Sequence, residues 1–356
     1  MSYAPDHASG ATFNYGKELR ADLPMSPKPN QLGGTDKPRS VLLGSGGTGI
    51  AYAAACSLRR VWSQSVRVVA MDINPKHLVT ISLLADHFEQ VPVSAAPEFS
   101  AALLGILQRH AVDTYLPLFP EEIALAARLR AEGQIPATVI VLAPPPTASA
   151  VCADKWALCC LLPKHHVPVP KTALAAEPFA AENFFLKPKG GTGSHGVRKV
   201  KATEMKSWIA SQPSDWIVQE ICTAPEVTVD AFYDPQNDFS HCVCRERLEI
   251  KSGVCTKARL FADEELGRYA RSIAQALHLA GSFCFQVMRN AAGWVVTDVN
   301  PRPGAATAMC VQTGNDFFAA AFALGWGEDV RQFFRPLDRE QFVTRQYAEF
   351  LMGPPA

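Results

Sequence analysis

The chain has 356 residues, of which 48% are hydrophobic and 19% charged, which allows a large core and more than one structural unit. Lys plus Arg and Asp plus Glu both number 34, so there is no basic excess of the kind that binding a phosphate backbone requires, and nucleic acid is not an expected partner. No apolar run approaches a membrane span, the first thirty residues lack the apolar core of a signal peptide, and the ten cysteines show no zinc-site spacing, so the expectation is a cytoplasmic protein with reduced thiols and no membrane contact.

Residues 1–37 are rich in Pro, Gly, Asn and Ser without a period of 2 or 3.6, and read as a flexible arm. From Ser40 the pattern becomes strand (Val41–Leu43), Gly-rich turn (Gly44–Gly49), helix (Ile50–Arg60) and strand (Val66–Met71), a parallel β-α-β unit. The alternation continues with a helix near Phe99–His110, a strand at Thr114–Leu118, a helix at Glu121–Ala131 and a strand at Thr138–Leu142. It closes at Ala143-Pro144-Pro145-Pro146.

A helix capped by Asp154 follows over Lys155–Leu162, and then an extended segment, Val167–Pro170. The rest is antiparallel in character, with strands at Phe184–Lys187, Gly196–Val200, Trp216–Ile221, Val227–Tyr233, His241–Leu248, Ser282–Met288 and Trp294–Val299. One helix interrupts them, its stripe formed by Leu266, Tyr269, Ile273 and Leu277, with Gly281 as a stop signal. Cys56, Cys159, Cys160 and Cys284 lie in apolar stretches and read as small core residues, while His165 and His166 read as exposed turn residues.

Gly44, Gly46 and Gly49 form G-x-G-x-x-G between a strand and a helix, and Asp72 closes the next strand where a ribose-binding acid would sit. The loop admits three readings: a dinucleotide site, as in an oxidoreductase; a structural turn; or a contact for the carboxylate or phosphate end of another substrate. Substrate choice is expected around Gly46–Thr48 and Glu121–Glu122.

A second Gly-rich loop, Pro188 to Gly196, joins the strand Phe184–Lys187 to the strand Val197–Val200, and no P-loop signature is present. Such a loop between antiparallel strands can close over phosphates through Gly191, Gly193 and Ser194, with Lys187 as a fixed charge beneath. Gln219-Glu220-Ile221, then Glu226, then Asp298-Val299-Asn300-Pro301-Arg302 complete a series whose order and spacing resemble the ATP-grasp superfamily, in particular the carbamoyl-phosphate-synthetase large-chain type and related amino-acid and carboxylate–amine ligases. The likeness runs from about Ser40 to about Ala320.

The resemblance implies an α/β plus α+β fold. A Rossmann-like pre-ATP-grasp domain (38–150) would precede a two-lobed ATP-grasp domain with a small flap-bearing lobe (151–215), a large lobe holding the metal site (216–335) and a C-terminal tail (336–356). It also implies an ATP-dependent ligase acting through an acyl phosphate, with ATP and Mg2+ or Mn2+ as cofactors and small-molecule carboxylate and amine substrates; a homodimer is compatible with it. A non-catalytic ATP-binding module and a dinucleotide-dependent oxidoreductase are the alternative readings.

Residue by residue, Lys155 and Lys187 resemble the phosphate-contacting cations. Gln219, Glu220 and the backbone of Ile221 resemble the adenine hinge, and Glu226 the ribose acid. Gln286, Asp298 and Asn300 resemble the metal set, with Asp298 standing where the family usually has Glu, and Arg302 resembles the arginine on the transferred phosphoryl group.

Independently of that likeness, Gln286 alternates away from Phe283, Phe285 and Val287, and a hairpin with Ala291, Ala292 and Gly293 as its loop would place Gln286 opposite Asp298 with Asn300 on the same face. All-oxygen ligation suits Mg or Mn. In the basic stretch from Arg245 to Arg259, Arg245 is expected to face the cleft and bind the substrate carboxylate or the reacting phosphorus, with Lys257 as a second; the plain alternative is a solvated charged face.

Overall fold

The computed structural model describes residues 38–191, 196–205, 215–251 and 253–353. The 1–37 arm, Gly193 and Ser194 lie outside the described residues.

The first sheet contains β1 (Arg39–Leu43), β2 (Val66–Asp72), β3 (His87–Gln90), β4 (Thr114–Leu116) and β5 (Ile140–Val141), in the order β3-β2-β1-β4-β5 with every pairing parallel. Helices α1 (Gly49–Trp62), α2 (Phe99–Arg109) and α3 (Pro120–Ala131) connect the strands. Val41, Leu42, Leu43, Val68 and Val69 are all fully buried, as parallel strands covered on both faces must be. The strand order reverses between β1 and β4, so the crevice at their C-terminal ends is the switch point where such sheets receive ligands. The short edge strand β3, His-Phe-Glu-Gln, has no apolar alternation by which to find it.

Past α4 (Pro146–Ala153) and α5 (Lys155–Leu161), a four-stranded antiparallel sheet is ordered β6 (Thr172–Leu174), β9 (Trp216–Gln219), β7 (Asn183–Pro188), β8 (Arg198–Lys201). Its own core is Phe184, Leu186, Val200, Met205 and Val218. Because β9 completes this sheet, the small lobe runs on to Gln219, past the boundary expected at Trp216.

The large sheet is ordered β14 (Gly293–Asn300), β13 (Gly281–Asn290), β10 (Thr223–Asp234), β11 (Phe239–Lys251), β12 (Val254–Phe261), β15 (Gln341–Thr344). One face, built from Val227, Val229, Ala231, Phe283, Phe285 and Val287, packs on α6 (Glu264–Ala276), whose stripe of Leu266, Tyr269 and Ile273 is buried. Asp263 caps α6 by accepting from the Leu266 N–H. On the opposite face Phe232, Val243, Ala258 and Leu260 join α1 and α7 (Phe317–Gly325) in one core, so the first domain and the large lobe are packed as a unit.

Two strands differ from the sequence expectation. In β12, Lys257 and Arg259 alternate with buried Ala258 and Leu260, which is the signature of a half-buried strand rather than a charge run. β15 lies in the stretch expected to be a tail and pairs with β12. All ten cysteines are free; Cys284 is buried and Cys159 half-buried, but Cys56 and Cys160 are exposed because they fall off the buried stripes of α1 and α5.

Candidate functional site

Three elements bring charge to one point. Lys155 opens α5, where Asp154 accepts from the N–H groups of Trp156 and Ala157, and its Nζ donates to the Gly191 carbonyl at 2.9 Å. Lys187, on β7, is 6% exposed, and its Nζ donates to the Thr297 carbonyl at 3.1 Å. Burial pulls the Lys187 ammonium below its usual range, opposed by Asp298. Burial likewise pushes the Asp298 carboxyl up, opposed by Lys155, Lys187 and the Asn300 amide. A small-lobe lysine and a helix-terminal lysine therefore both act on one buried large-lobe carboxylate.

The hairpin carrying Asp298 places Gln286 directly across from it, as expected. The route differs. The loop has two residues, Ala291 and Ala292, since Asn290 pairs with Gly293, and Asn290 Oδ1 accepts from the Ala292 and Gly293 N–H groups. A register shift between Gln286 and Val287 then adds back the residue that the shorter loop removes. Asn300 Nδ2 lies 3.3 Å from Asp298 Oδ2.

The strand register extends this set into a polar face. Asp298, Gln286, Thr228 and Arg245 form one row across β14, β13, β10 and β11, and Asn300, Cys284 and Asp230 form the next. Beyond Thr228, Glu226 Oε1 accepts from Arg247 Nη1 at 2.5 Å. Glu226, expected as the ribose acid, thus has an arginine partner that its spacing did not disclose.

Of the residues expected at the hinge, Gln219 is buried and its Nε2 donates to Thr172 Oγ1 at 2.8 Å, so this side chain points into the interior of the antiparallel sheet's lobe. Glu220 Oε1 accepts from the Lys171 N–H and from Asn290 Nδ2, both at 2.9 Å, which ties this segment to the β13–β14 hairpin. Ile221 is partly exposed.

Two expected catalytic cations are placed otherwise. Arg245 does lie on the cleft face, but it is 2% exposed and its Nε donates to Asp230 Oδ2 at 3.0 Å; Asp230 also accepts from Thr307 Oγ1. A carboxylate in the apolar strand Val227–Tyr233 has to find such a partner, and that is the signal by which the pair could have been found. Lys257 points to the other side of β12 from Ala258 and Leu260, is exposed, and pairs with Glu249 at 2.8 Å. It lies four strands from β14, or about 19 Å at roughly 4.8 Å per strand. Arg302 follows β14 and borders a cavity between the first domain and α7.

The first glycine loop is filled from within. The Gly44 N–H donates to the Leu116 carbonyl, the Gly46 N–H to the Met71 carbonyl, and the Gly47 N–H to Asp72 Oδ2 at 2.6 Å. The Glu122 carboxylate, 2% exposed, accepts from Ser45 Oγ at 2.7 Å and from Tyr115 OH at 2.5 Å. A Cβ on Gly44 would come within 1.6 Å of Glu122 Oε1. The missing side chain makes room for a carboxylate of the protein itself, and Asp72 faces the loop backbone. These contacts are those of a structural turn.

A family model described as ATP-grasp domain matches residues 152–306. No curated protein sequence matches the chain. Among solved structures, N5-carboxyaminoimidazole synthetase from Staphylococcus aureus is similar at TM-score 0.65 and 14% identity, over 84% of this chain and 80% of that one. The L-amino acid ligase from Bacillus licheniformis is similar at TM-score 0.65 and 12% identity, over 86% and 80%. The biotin carboxylase domain dimer of the Hydrogenobacter thermophilus 2-oxoglutarate carboxylase, in complex with MgADP, ADP and bicarbonate, is similar at TM-score 0.64 and 12% identity, over 83% and 71%. At such identities the likeness is one of fold.

Proposed function

We propose, taking the match of residues 152–306 to an ATP-grasp domain as premise, that this chain is an ATP-dependent ligase which converts a small carboxylate to an acyl phosphate with ATP and transfers the acyl group to an amine or similar nucleophile. The observation that carries the reading is the convergence of Lys155 and Lys187 on Asp298 from α5, β7 and β14. Two cations beside one carboxylate, Lys187 buried with Asp298, are what a polyphosphate with a bound divalent cation would call for.

The donor set suits that cation. Asp298, Gln286 and Asn300 offer one carboxylate and two amide oxygens on one face, and Mg2+ or Mn2+ is commonly held by one or two carboxylates with phosphate oxygens completing the shell. Bound there, the metal would supply Lewis-acid charge at the transferred phosphoryl group. Lys187 keeps a fixed charge against the phosphates from the small lobe. Lys155, tethered to the Gly191 carbonyl, links the flap to the same charge. Arg302, just past Asn300, would orient the phosphoryl oxygens as they flatten. Little covalent work falls to the protein, so positioning and charge account for catalysis.

A second reading, an ATP-binding module without turnover, draws on Asp298 being the only carboxylate of the donor set. The deciding experiment is a screen of carboxylate and amine pairs for ADP release with mass analysis of products. Release dependent on a carboxylate supports the ligase; tight Mg-ATP binding with no release for any pair supports the module; binding of NAD(P) in place of ATP sinks both. The cytoplasmic location and homodimer remain part of this proposal, the latter checked by light scattering. Among the described residues no helix is long and apolar enough to cross a membrane.

A further inference from the structure

The edge of a β-sheet presents backbone N–H and C=O groups that another chain can extend, and proteins blunt such edges with charge, proline or a covering segment. Elsewhere this fold does so. β8, Arg198-Lys199-Val200-Lys201, closes the four-stranded sheet with three cations. At β14 the outward Val296 N–H is taken by the Pro168 carbonyl.

β15 is different. It closes the large sheet beside β12, and Phe342 on it is 68% exposed. Exposed apolar side chains continue past the strand with Tyr347, Phe350 and Leu351. The register also says which way the backbone groups point. The Arg345 N–H donates to the Thr256 carbonyl at 2.8 Å, and Val343 lies opposite Ala258. Because these groups alternate in direction along an antiparallel strand, Gln341, Val343 and Arg345 turn theirs toward β12, while Phe342 and Thr344 turn theirs outward.

We propose that β15 pairs antiparallel with β15 of a second copy of this chain, across a two-fold axis at Val343, so that the large sheets of the two copies become one. A two-fold contact must be self-complementary, and the sequence around β15 discriminates among the registers that match outward groups to outward groups. An axis at Phe342 sets Arg339 against Arg345 of the copy, a like-charge pair. An axis at Thr344 sets Val343 against Arg345 and Phe342 against Gln346. With the axis at Val343, Phe342 meets Thr344, Val343 meets its own counterpart, Gln341 meets Arg345 and Arg339 meets Tyr347, with no like charges opposed. The inference rests on the homodimer expected above and gives it a surface. It does not draw on the nucleotide or metal residues.

The test is the molar mass of the full-length protein in solution, by light scattering. Wild type should run at twice its 38.6 kDa. Phe342→Pro removes an outward N–H and no bond to β12, and Phe342→Lys places a charge on the edge. Both should run as monomers at concentrations where wild type is dimeric, with the wild-type melting temperature and response to Mg-ATP. Val343→Cys sets two thiols across the axis, where partners of a non-hydrogen-bonded pair have Cα atoms about 4.5 Å apart, within disulfide reach. With glutathione disulfide as oxidant it should give a covalent dimer that wild type and Phe342→Cys do not. A monomeric wild type overturns this inference and the homodimer together. A dimer that persists in both Phe342→Pro and Phe342→Lys, or that cross-links through Phe342→Cys and not Val343→Cys, overturns this surface and leaves the homodimer standing.

Discussion

Lys187 is anchored to the residue before Asp298: its Nζ donates to the Thr297 carbonyl, so a cation from the small lobe is clipped to the strand that carries the large lobe's acid. The two charges restrain each other in a place where burial disfavours both. Replacing Asp298 by Asn keeps the shape and one oxygen but removes the charge that would hold a divalent cation. Turnover should fall by about a hundredfold or more, around 3 kcal/mol of transition-state stabilisation. Nucleotide affinity should stay within roughly tenfold, because both lysines remain. The measurements are ADP release, nucleotide affinity and melting temperature. Wild-type turnover would remove Asp298 from the metal site, and a large drop in melting temperature would make its role structural.

The Asp230–Arg245 pair gives a prediction about folding rather than turnover. Both side chains are buried and hydrogen-bonded to each other, and Asp230 also holds Thr307 at the end of the turn that follows the metal set. Removing either partner strands a buried charge, so Asp230→Leu and Arg245→Met should each destabilise the protein by about 3–5 kcal/mol, while the double variant should lose far less than the sum. Urea denaturation of all four proteins measures the coupling. Additive losses would mean that the two charges do not depend on each other.

These two sites show where spacing along the chain suffices and where it does not. A strand tells which side chains share its face, so Gln286 and Asp298 could be set together from one hairpin. The pairing survived a loop one residue shorter than expected only because a register shift restored it. Lys187 could be read because a cation ending an apolar strand before a glycine loop is a local pattern. Arg245 and Lys257 were legible as charges, but their partners Asp230 and Glu249 come from facing strands, and no local rule assigns them. Arg345 lies beyond a stretch without regular alternation and enters the sheet only through β12. The parallel sheet was legible at β1 and β2, which are continuously apolar, and not at the edge strand β3. The glycine loop was ambiguous because its geometry serves an external anion and the Glu122 carboxylate equally well.

Glu122 makes the pH dependence of the first domain testable. Burial raises its carboxyl above the usual range, against the hydrogen bonds from Tyr115, Ser45 and the backbone of Leu118 and Phe119. A raised folded-state value means that the stabilising contribution is complete below the unfolded carboxylate value of about 4.3 and is lost as pH rises through the folded value. Glu122→Gln has no proton to lose. The stability of the variant relative to wild type should therefore increase as pH is raised from 4, followed by urea midpoints at half-unit steps. A constant difference across that range would show that Glu122 stays ionised in the folded protein with its hydrogen bonds as compensation.

His241 should act in the opposite sense. Its ring lies against Phe334, with centroids 4.6 Å apart, and Nε2 is 2.8 Å from Asn315 Oδ1, inside the core that joins the first domain to the large lobe. Burial pulls its pKa down to about 4, with the Asn315 contact opposing. Below about 6.5 the unfolded chain takes up a proton at this residue that the folded protein refuses until about pH 4. Stability is thus present above the unfolded value and is lost as pH falls through that window, by up to about 3 kcal/mol. His241→Phe fills the same space without a titratable nitrogen, and Asn315 Oδ1 keeps the Arg335 N–H at 3.0 Å. The variant should be about 1 kcal/mol less stable than wild type at pH 8, where it lacks only the hydrogen bond. As pH falls toward 4 it should match and then exceed wild type. Denaturation midpoints of both proteins between pH 4 and 8 give the crossing directly, and parallel curves over the whole range would show that His241 is not the residue refusing the proton.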